Sequence, residues 1–159
     1  MSKLIEIERK FLVVSDAFKS EAFKQTRIVQ AFLNSDKSRT VRVRLKGDKG
    51  YLTIKGPSLE DGVSRFEWEK EISKQDAEAL LPLCEEGMID KIRYEIQVGD
   101  HVFEVDEFFG ANEGLIVAEV ELDAVAENFN KPNWLGEEVT GQIQYFNSQL
   151  VKHPFKNWT

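Results

Sequence analysis

The feature that most constrains this chain is an alternation of apolar and charged residues in which the charges are sorted by sign. In Ile5-Glu6-Ile7-Glu8-Arg9-Lys10-Phe11, the apolar Ile5, Ile7 and Phe11 share one side and Glu6, Glu8 and Lys10 the other. A period of two is the signature of a strand, because successive side chains point to opposite faces. Further on, Val41, Val43 and Leu45 oppose Arg42, Arg44 and Lys46, and Leu52 and Ile54 oppose Thr53 and Lys55. Phe66, Trp68 and Ile72 oppose Arg65, Glu67, Glu69 and Glu71; Ile92, Tyr94 and Ile96 oppose Lys91, Arg93 and Glu95. Phe103 and Val105 oppose Glu104 and Asp106, and Ile116, Ala118 and Val120 oppose Glu119 and Glu121. The pattern predicts eight strands, at 4–13, 27–34, 39–47, 50–56, 64–72, 91–98, 101–108 and 115–123. Gly47-Asp48-Lys49-Gly50 and Gly99-Asp100 read as hairpin turns between them.

Apolar and charged alternation ordinarily means a sheet with one wet face. The signs argue otherwise. Neighbours at i and i+2 sit roughly 6.6 Å apart on one face, from two rises of about 3.3 Å. A solvated face intersperses its charges, because like neighbours repel. Here acid stands with acid in the first, fifth, seventh and eighth strands, and base with base in the third and sixth. Paired carboxylates suit a hard divalent cation such as Mg2+ or Mn2+. Paired arginines and lysines suit phosphate or carboxylate oxygens. A site that needs both at once points to a metal-bound polyphosphate. The expected fold is therefore α+β: an eight-stranded antiparallel β-barrel, a tunnel with a charged lumen, its apolar outer face covered by flanking helices. A barrel of eight strands is just wide enough to hold one small ligand.

Helix signals are few. One run is expected from Ser15-Asp16 to Gln25. A second opens with a variant capping box at Ser73-Lys74-Gln75-Asp76 and runs to about Glu86, bent or cut short by Pro82 and stopped by Gly87. A third is expected over 123–130, and a last one from Thr140 to Lys152. The 159 residues read as a single domain, 1–159, long enough to bury a core. The lone Cys84 excludes an intramolecular disulfide. Met1-Ser2-Lys3 leads straight into the first strand with nothing like a signal peptide, so a cytoplasmic location without membrane association is expected. A net charge of −7 disfavours a general nucleic-acid partner but not a local basic pocket. An exposed sheet edge or helix face could support a homodimer.

Glu6-Ile7-Glu8-Arg9-Lys10 resembles the ExExK signature of the CYTH, or triphosphate tunnel metalloenzyme, superfamily. The resemblance continues through Arg42-Val43-Arg44, Lys55, Glu67-Trp68-Glu69, Lys91-Ile92-Arg93, Asp106 and Glu119-Val120-Glu121 to Gly136–Thr140. It is closest to short bacterial members that act as inorganic tripolyphosphatases. It implies an eight-stranded tunnel in which Glu6, Glu8, Asp106, Glu119 and Glu121 hold metal. Lys10, Arg42, Arg44, Lys55, Lys91 and Arg93 would bind the triphosphate. Glu67, Glu69 and Glu104 would play supporting parts, and Glu6, Glu8, Lys55, Glu119 and Glu121 would carry catalysis. One departure stands out: where similar members carry basic residues before the tyrosine matching Tyr145, this chain reads Gln142-Ile143-Gln144, leaving Lys152 or Lys156 as substitutes.

The expected reaction is hydrolysis of a terminal phosphoryl group, which needs positioning and charge neutralisation more than a covalent nucleophile. The alternatives are a class IV-type adenylate cyclase, a thiamine triphosphatase and a non-catalytic polyphosphate-binding module. The first two would want an aromatic at the tunnel mouth, for which Tyr51, Phe108, Phe109 and Trp158 are candidates. The expected small-molecule partners are a polyphosphate or a nucleoside triphosphate.

Overall fold

A computed structural model of the chain describes residues 4–158. Nine strands form one antiparallel sheet: β1 (Ile5–Val13), β2 (Lys24–Asn34), β3 (Thr40–Lys46), β4 (Lys49–Ser58), β5 (Ser64–Ile72), β6 (Ile89–Val98), β7 (His101–Phe108), β8 (Ile116–Glu121) and β9 (Leu135–Glu138). The order runs β5-β4-β3-β2-β6-β7-β8-β1, and pairing of β1 with β5 closes the barrel. The eight expected strands are the eight staves. The short β9, unforeseen in the sequence, pairs with the end of β1 beyond the reach of β5. The β3–β4 hairpin turns on Gly47, whose φ of 59° lies in the left-handed region that glycine tolerates.

The helices differ more. Helix α1 covers only Phe18–Glu21, because Lys24 and Gln25 already pair with Glu95 and Tyr94 of β6. Helix α2 (Lys74–Leu80) starts as the capping box requires, the Ser73 side chain accepting from the Asp76 N–H. A 3-10 turn with Pro82 at its second position then ends it, short of Glu86. The helix expected over 123–130 does not form. The side chain of Glu127 instead accepts from the Asp123 N–H and meets His101 of β7, which ties this segment to the barrel as a loop. The last helix reduces to a 3-10 turn at Ile143–Tyr145 and α3 (Asn147–Leu150); Thr140 caps neither, its hydroxyl being turned to Lys10 and Glu138.

With such short helices, the apolar outer face is covered in parts. Over β1, β6, β7 and β8 it packs Phe11, Ile96, Phe103, Val105, Ala118 and Val120 against Phe18 of α1 and Trp134 of the loop before β9. Trp134 is 1% exposed, its ring edge-on to Phe103 at 5.6 Å. Over β3 and β4 the cover is α2, which comes close because residue 50 is glycine: a Cβ there would lie 2.8 Å from the Ala77 Cβ. Between these zones Ile5, Phe66 and Trp68 stay exposed, correcting the expectation of full helical cover. No helix among the described residues is long and apolar enough to cross a membrane.

Candidate active site

Antiparallel partners place their side chains on the same face, so the register shows which charges meet inside the barrel. Glu8 faces Glu121 across β1–β8, and Lys10 faces Glu119, which in turn faces Glu104 of β7. Lys55 lies between Thr40 and Glu67, and Thr53 between Arg42 and Glu69. Arg93 faces Asp106. These side chains line a cavity of about 220 Å3 whose wall holds seven cations (Lys10, Arg42, Arg44, Lys46, Lys55, Lys91, Arg93) and seven carboxylates (Glu6, Glu8, Glu67, Glu69, Glu104, Glu119, Glu121). The charges balance in number and are largely sorted by strand: β8 brings only acids to the wall and β3 and β6 only bases, while β1 carries Glu6 and Glu8 with Lys10. Thus β1 and β8 form a mainly acidic wall, β3 and β6 a basic one.

At one end of the lumen apolar side chains pack together. Phe108 and Val117 continue the inward faces of β7 and β8 and pack with Ile89, Leu115 and Leu150, with Tyr145 and Trp158 behind them. The residues after Tyr145 supply the polar lining of this end. Asn147 Oδ1 accepts from Lys91 Nζ at 3.0 Å and from Gln30 Nε2 at 3.0 Å, while Lys10 Nζ donates to the Tyr145 carbonyl at 3.3 Å. Gln142 and Gln144, where the resemblance implied basic residues, are exposed and outside the cavity wall, as are Lys152 and Lys156; Asn147 and Ser148 line it instead.

Of the residues expected in the site, all but Asp106 line the cavity. Asp106 is buried beneath the wall. Its Oδ1 accepts from Arg93 Nε at 2.8 Å and its Oδ2 from Arg93 Nη2 at 2.9 Å, with Lys91 Nζ 2.8 Å from Oδ2. Against the cost of burial, these two cations hold the Asp106 carboxyl far below the usual carboxylate range. Asp106 therefore fixes the basic wall from behind, and its oxygens are occupied by that task.

The acidic wall differs. Burial, followed by the charges of Glu119 and Glu6, pushes the Glu8 carboxyl well above its ordinary value. Glu6 is lowered: burial opposes ionisation, but Lys55 at 2.9 Å outweighs it. Glu119 falls to about 2, burial again opposing and Lys10 at 3.6 Å leading the charges that favour ionisation. Burial lifts Glu67 to about 7. On the basic wall, burial and then Arg42 and Arg93 depress the Arg44 guanidinium to about 9. Arg42 Nε is buried without a hydrogen-bond partner among the described residues. Like charges are thus crowded on each wall away from water, a cost that ion pairs such as Lys55 with Glu6 and Lys10 with Glu119 offset in part.

Polar residues that the sequence reading gave no part in the site, Gln30 behind the wall and Asn147 on it, join Thr53 in holding the charged side chains. Gln30 receives Arg44 Nε at 2.8 Å and donates to Asn147, while the Thr53 hydroxyl accepts from Arg42 and donates to Glu69 at 2.7 Å. Parity would have found Gln30, since its partner Arg44 faces inward. Asn147 lies outside the strands and had no such signal.

The match to other proteins follows the same outline. The CYTH domain model matches residues 4–154. The chain belongs to the CYTH family. An inorganic triphosphatase of Acetivibrio thermocellus is 50% identical over 96% of this chain and 97% of its own length. Another, from Nitrosomonas europaea, is 35% identical over 93% of this chain and 97% of its own. The solved structure of an inorganic triphosphatase, NE1496, superposes with a TM-score of 0.65 at 32% identity, covering 92% of this chain and 97% of that one. The CYTH tunnel of this chain is therefore a closed β-barrel with a charged lumen, lined at one end by its own C-terminal segment.

The donor chemistry of the acidic wall fits a hard divalent cation, because Glu6, Glu8, Glu119 and Glu121 offer only carboxylate oxygens and Glu8 is crowded by like charge. Among the described residues no three such side chains yet converge on one point. Glu6 and Glu119 are turned to Lys55 and Lys10.

Proposed function

We propose that this chain is a metal-dependent inorganic triphosphatase that hydrolyses tripolyphosphate inside the barrel, with Mg2+ or Mn2+ held by Glu6, Glu8, Glu119 and Glu121. The observation that carries this reading is the pair of walls, one mainly acidic and one basic, in one cavity. A bound cation would neutralise phosphate oxygens and lower the pKa of an attacking water. Arg42, Arg44, Lys91 and Arg93 would bind the oxygens of the chain and stabilise charge on the transferring phosphoryl group. Glu67, Glu69 and Glu104 hold Lys55, Arg42 and Arg93 in place, at 3.4, 3.5 and 3.2 Å.

The internal ion pairs suggest how the site loads. In the ligand-free tunnel Lys55 stands beside Glu6, and Lys10 beside Glu119, as a cation would. The same glutamates stand beside the lysines as phosphate oxygens would. A metal held by the glutamates would free the lysines for the triphosphate, each replacing half of a pre-existing pair, so binding of one would favour binding of the other.

Tripolyphosphate is favoured over a nucleoside triphosphate because the aromatic candidates for a base platform at the mouth lie elsewhere, and Phe32, which does line the cavity, is buried. Phe108 is buried in the apolar end, Trp158 packs on Tyr145 and Phe155, and neither Tyr51 nor Phe109 lines the cavity. The test is phosphate release from tripolyphosphate, ATP and thiamine triphosphate, each with Mg2+, Mn2+ or EDTA. Metal-dependent release strongest on tripolyphosphate is expected. Cyclic AMP formed from ATP, or no turnover at all, would overturn the assignment.

A further inference from the structure

Hydrolysis consumes one water per turnover, and the tunnel described above has no obvious place to store it. At its far end Phe108, Val117 and Leu150 pack into an apolar cluster. A triphosphate entering from the open mouth displaces solvent from a cavity of only about 220 Å3. A second cavity, of about 40 Å3, touches the same acidic wall from the side. Glu6, Glu8 and Lys10 line both, so the two spaces meet at the charged face of β1.

The smaller space runs from solvent to the buried carboxylates. Ser58, Gly62 and Gly141 at its rim are exposed, whereas Glu6 and Lys10 at its inner end are buried. Its walls are about half polar, from Ser58, Ser64, Thr140 and the Arg65 guanidinium, and half apolar, from Val63 and Phe146 among others. Arg65 is fixed by two hydrogen bonds to the Gly56 carbonyl, at 3.1 and 2.8 Å. The Phe146 ring lies between two cations, 5.3 Å from Lys10 Nζ and 5.8 Å from Arg65 Cζ. A cavity needs roughly 10–15 Å3 for each water it holds, so about three or four fit here. A phosphate chain does not.

We propose that this side chamber stores and delivers the attacking water, so that nucleophile and substrate reach the acidic wall by separate routes. The inference rests on the triphosphatase reading. The oxygen of a chamber water bonds to the terminal phosphorus as the P–O bond to the bridging oxygen breaks. The bond's electron pair leaves with the pyrophosphate. One hydrogen of the water stays on the orthophosphate formed and the other passes to the pyrophosphate. Separate entry explains why a tunnel narrow enough to desolvate its substrate does not starve the reaction of water.

The test alters the chamber without touching the charged walls. Val63→Phe fills it and Ser58→Leu narrows its exposed rim; Val63→Ala widens it. Steady-state turnover of tripolyphosphate is measured with Mg2+, alongside the thermal midpoint of each variant. The filling variants are expected to lose kcat by about tenfold or more, with KM changed by less than about twofold, since substrate binds elsewhere. In aqueous methanol Val63→Ala is expected to raise the share of methyl phosphate, read by 31P NMR, because the widened chamber has more room for the larger nucleophile. Unchanged kcat in folded Val63→Phe and Ser58→Leu, or wild-type methyl phosphate yield from Val63→Ala, overturns the chamber's role. Wild-type protein that releases no phosphate from tripolyphosphate overturns the functional reading instead, and the two failures are thereby distinct.

Discussion

The two buried carboxylates that differ most are Asp106 and Glu8. Both sit on inward faces of the same barrel and burial opposes the charge of each, but their neighbours decide the outcome in opposite senses. Asp106 accepts from Arg93 at both oxygens and touches Lys91, so it stays ionised and anchors the basic wall. Glu8 is surrounded by Glu6 and Glu119 and faces Glu121, so its charged form is disfavoured. A buried ion pair with its partners in place is structure; a buried carboxylate without a partner is a demand for a cation. The tunnel uses the first to hold the second open.

The largest expected effect breaks the anchored member. Asp106→Asn leaves Lys91 buried without its counter-charge and Arg93 with only Glu104 at 3.2 Å, and should cost about 3–5 kcal/mol of stability, read by guanidinium denaturation. An unchanged midpoint would show that Asp106 is not the anchor. Glu8→Gln should do the reverse. It removes a strained charge, so the metal-free protein should be as stable as wild type or more so, while tripolyphosphate turnover falls by about 100-fold or more. Its thermal midpoint should also lose most of the rise that Mg2+ gives the wild type.

The same contrast sets the pH dependence. Glu67 is raised from an ordinary 4.5 to about 7, and Glu8 is raised as well. Between pH 4.5 and 7 the folded protein keeps a proton on Glu67 that the unfolded chain has released, so stability falls as pH rises through that window. In EDTA, urea midpoints should therefore be lower at pH 8 than at pH 5, and Mg2+ should reduce the difference. Glu119 acts in the opposite sense. Its value is depressed to about 2, so the stability it contributes is present above 4.5 and is lost as pH falls toward 2. The smallest effect lies outside the tunnel. Arg9 Nε donates to Glu138 at 2.8 Å, but both side chains are partly exposed. A double-mutant cycle on this pair should return no more than about 1 kcal/mol.

The sequence by itself determined the staves and their faces. Period-two alternation assigns each side chain to one face wherever the strand pairs, so Glu6, Arg42, Lys55, Glu67 and Glu119 were legible as lumen residues before any register was known. Sorting of those charges by sign showed that the face was not an ordinary wet one. Local signals placed the α2 cap at Ser73 and the turn at Gly47. They failed where a distant partner outbid a local preference: the 123–130 segment is held by Glu127 reaching His101, and the run after Ser15 ends where Lys24 meets Glu95. Only the tertiary structure decided which charges are neighbours and how deep each lies. Alternation fixes the side a residue points to, but barrel closure and register fix what it points at. That is why Asp106, identical in pattern to its fellows, became the anchor of Arg93 and Lys91. It is also why Asn147, which belongs to no strand, became part of the wall.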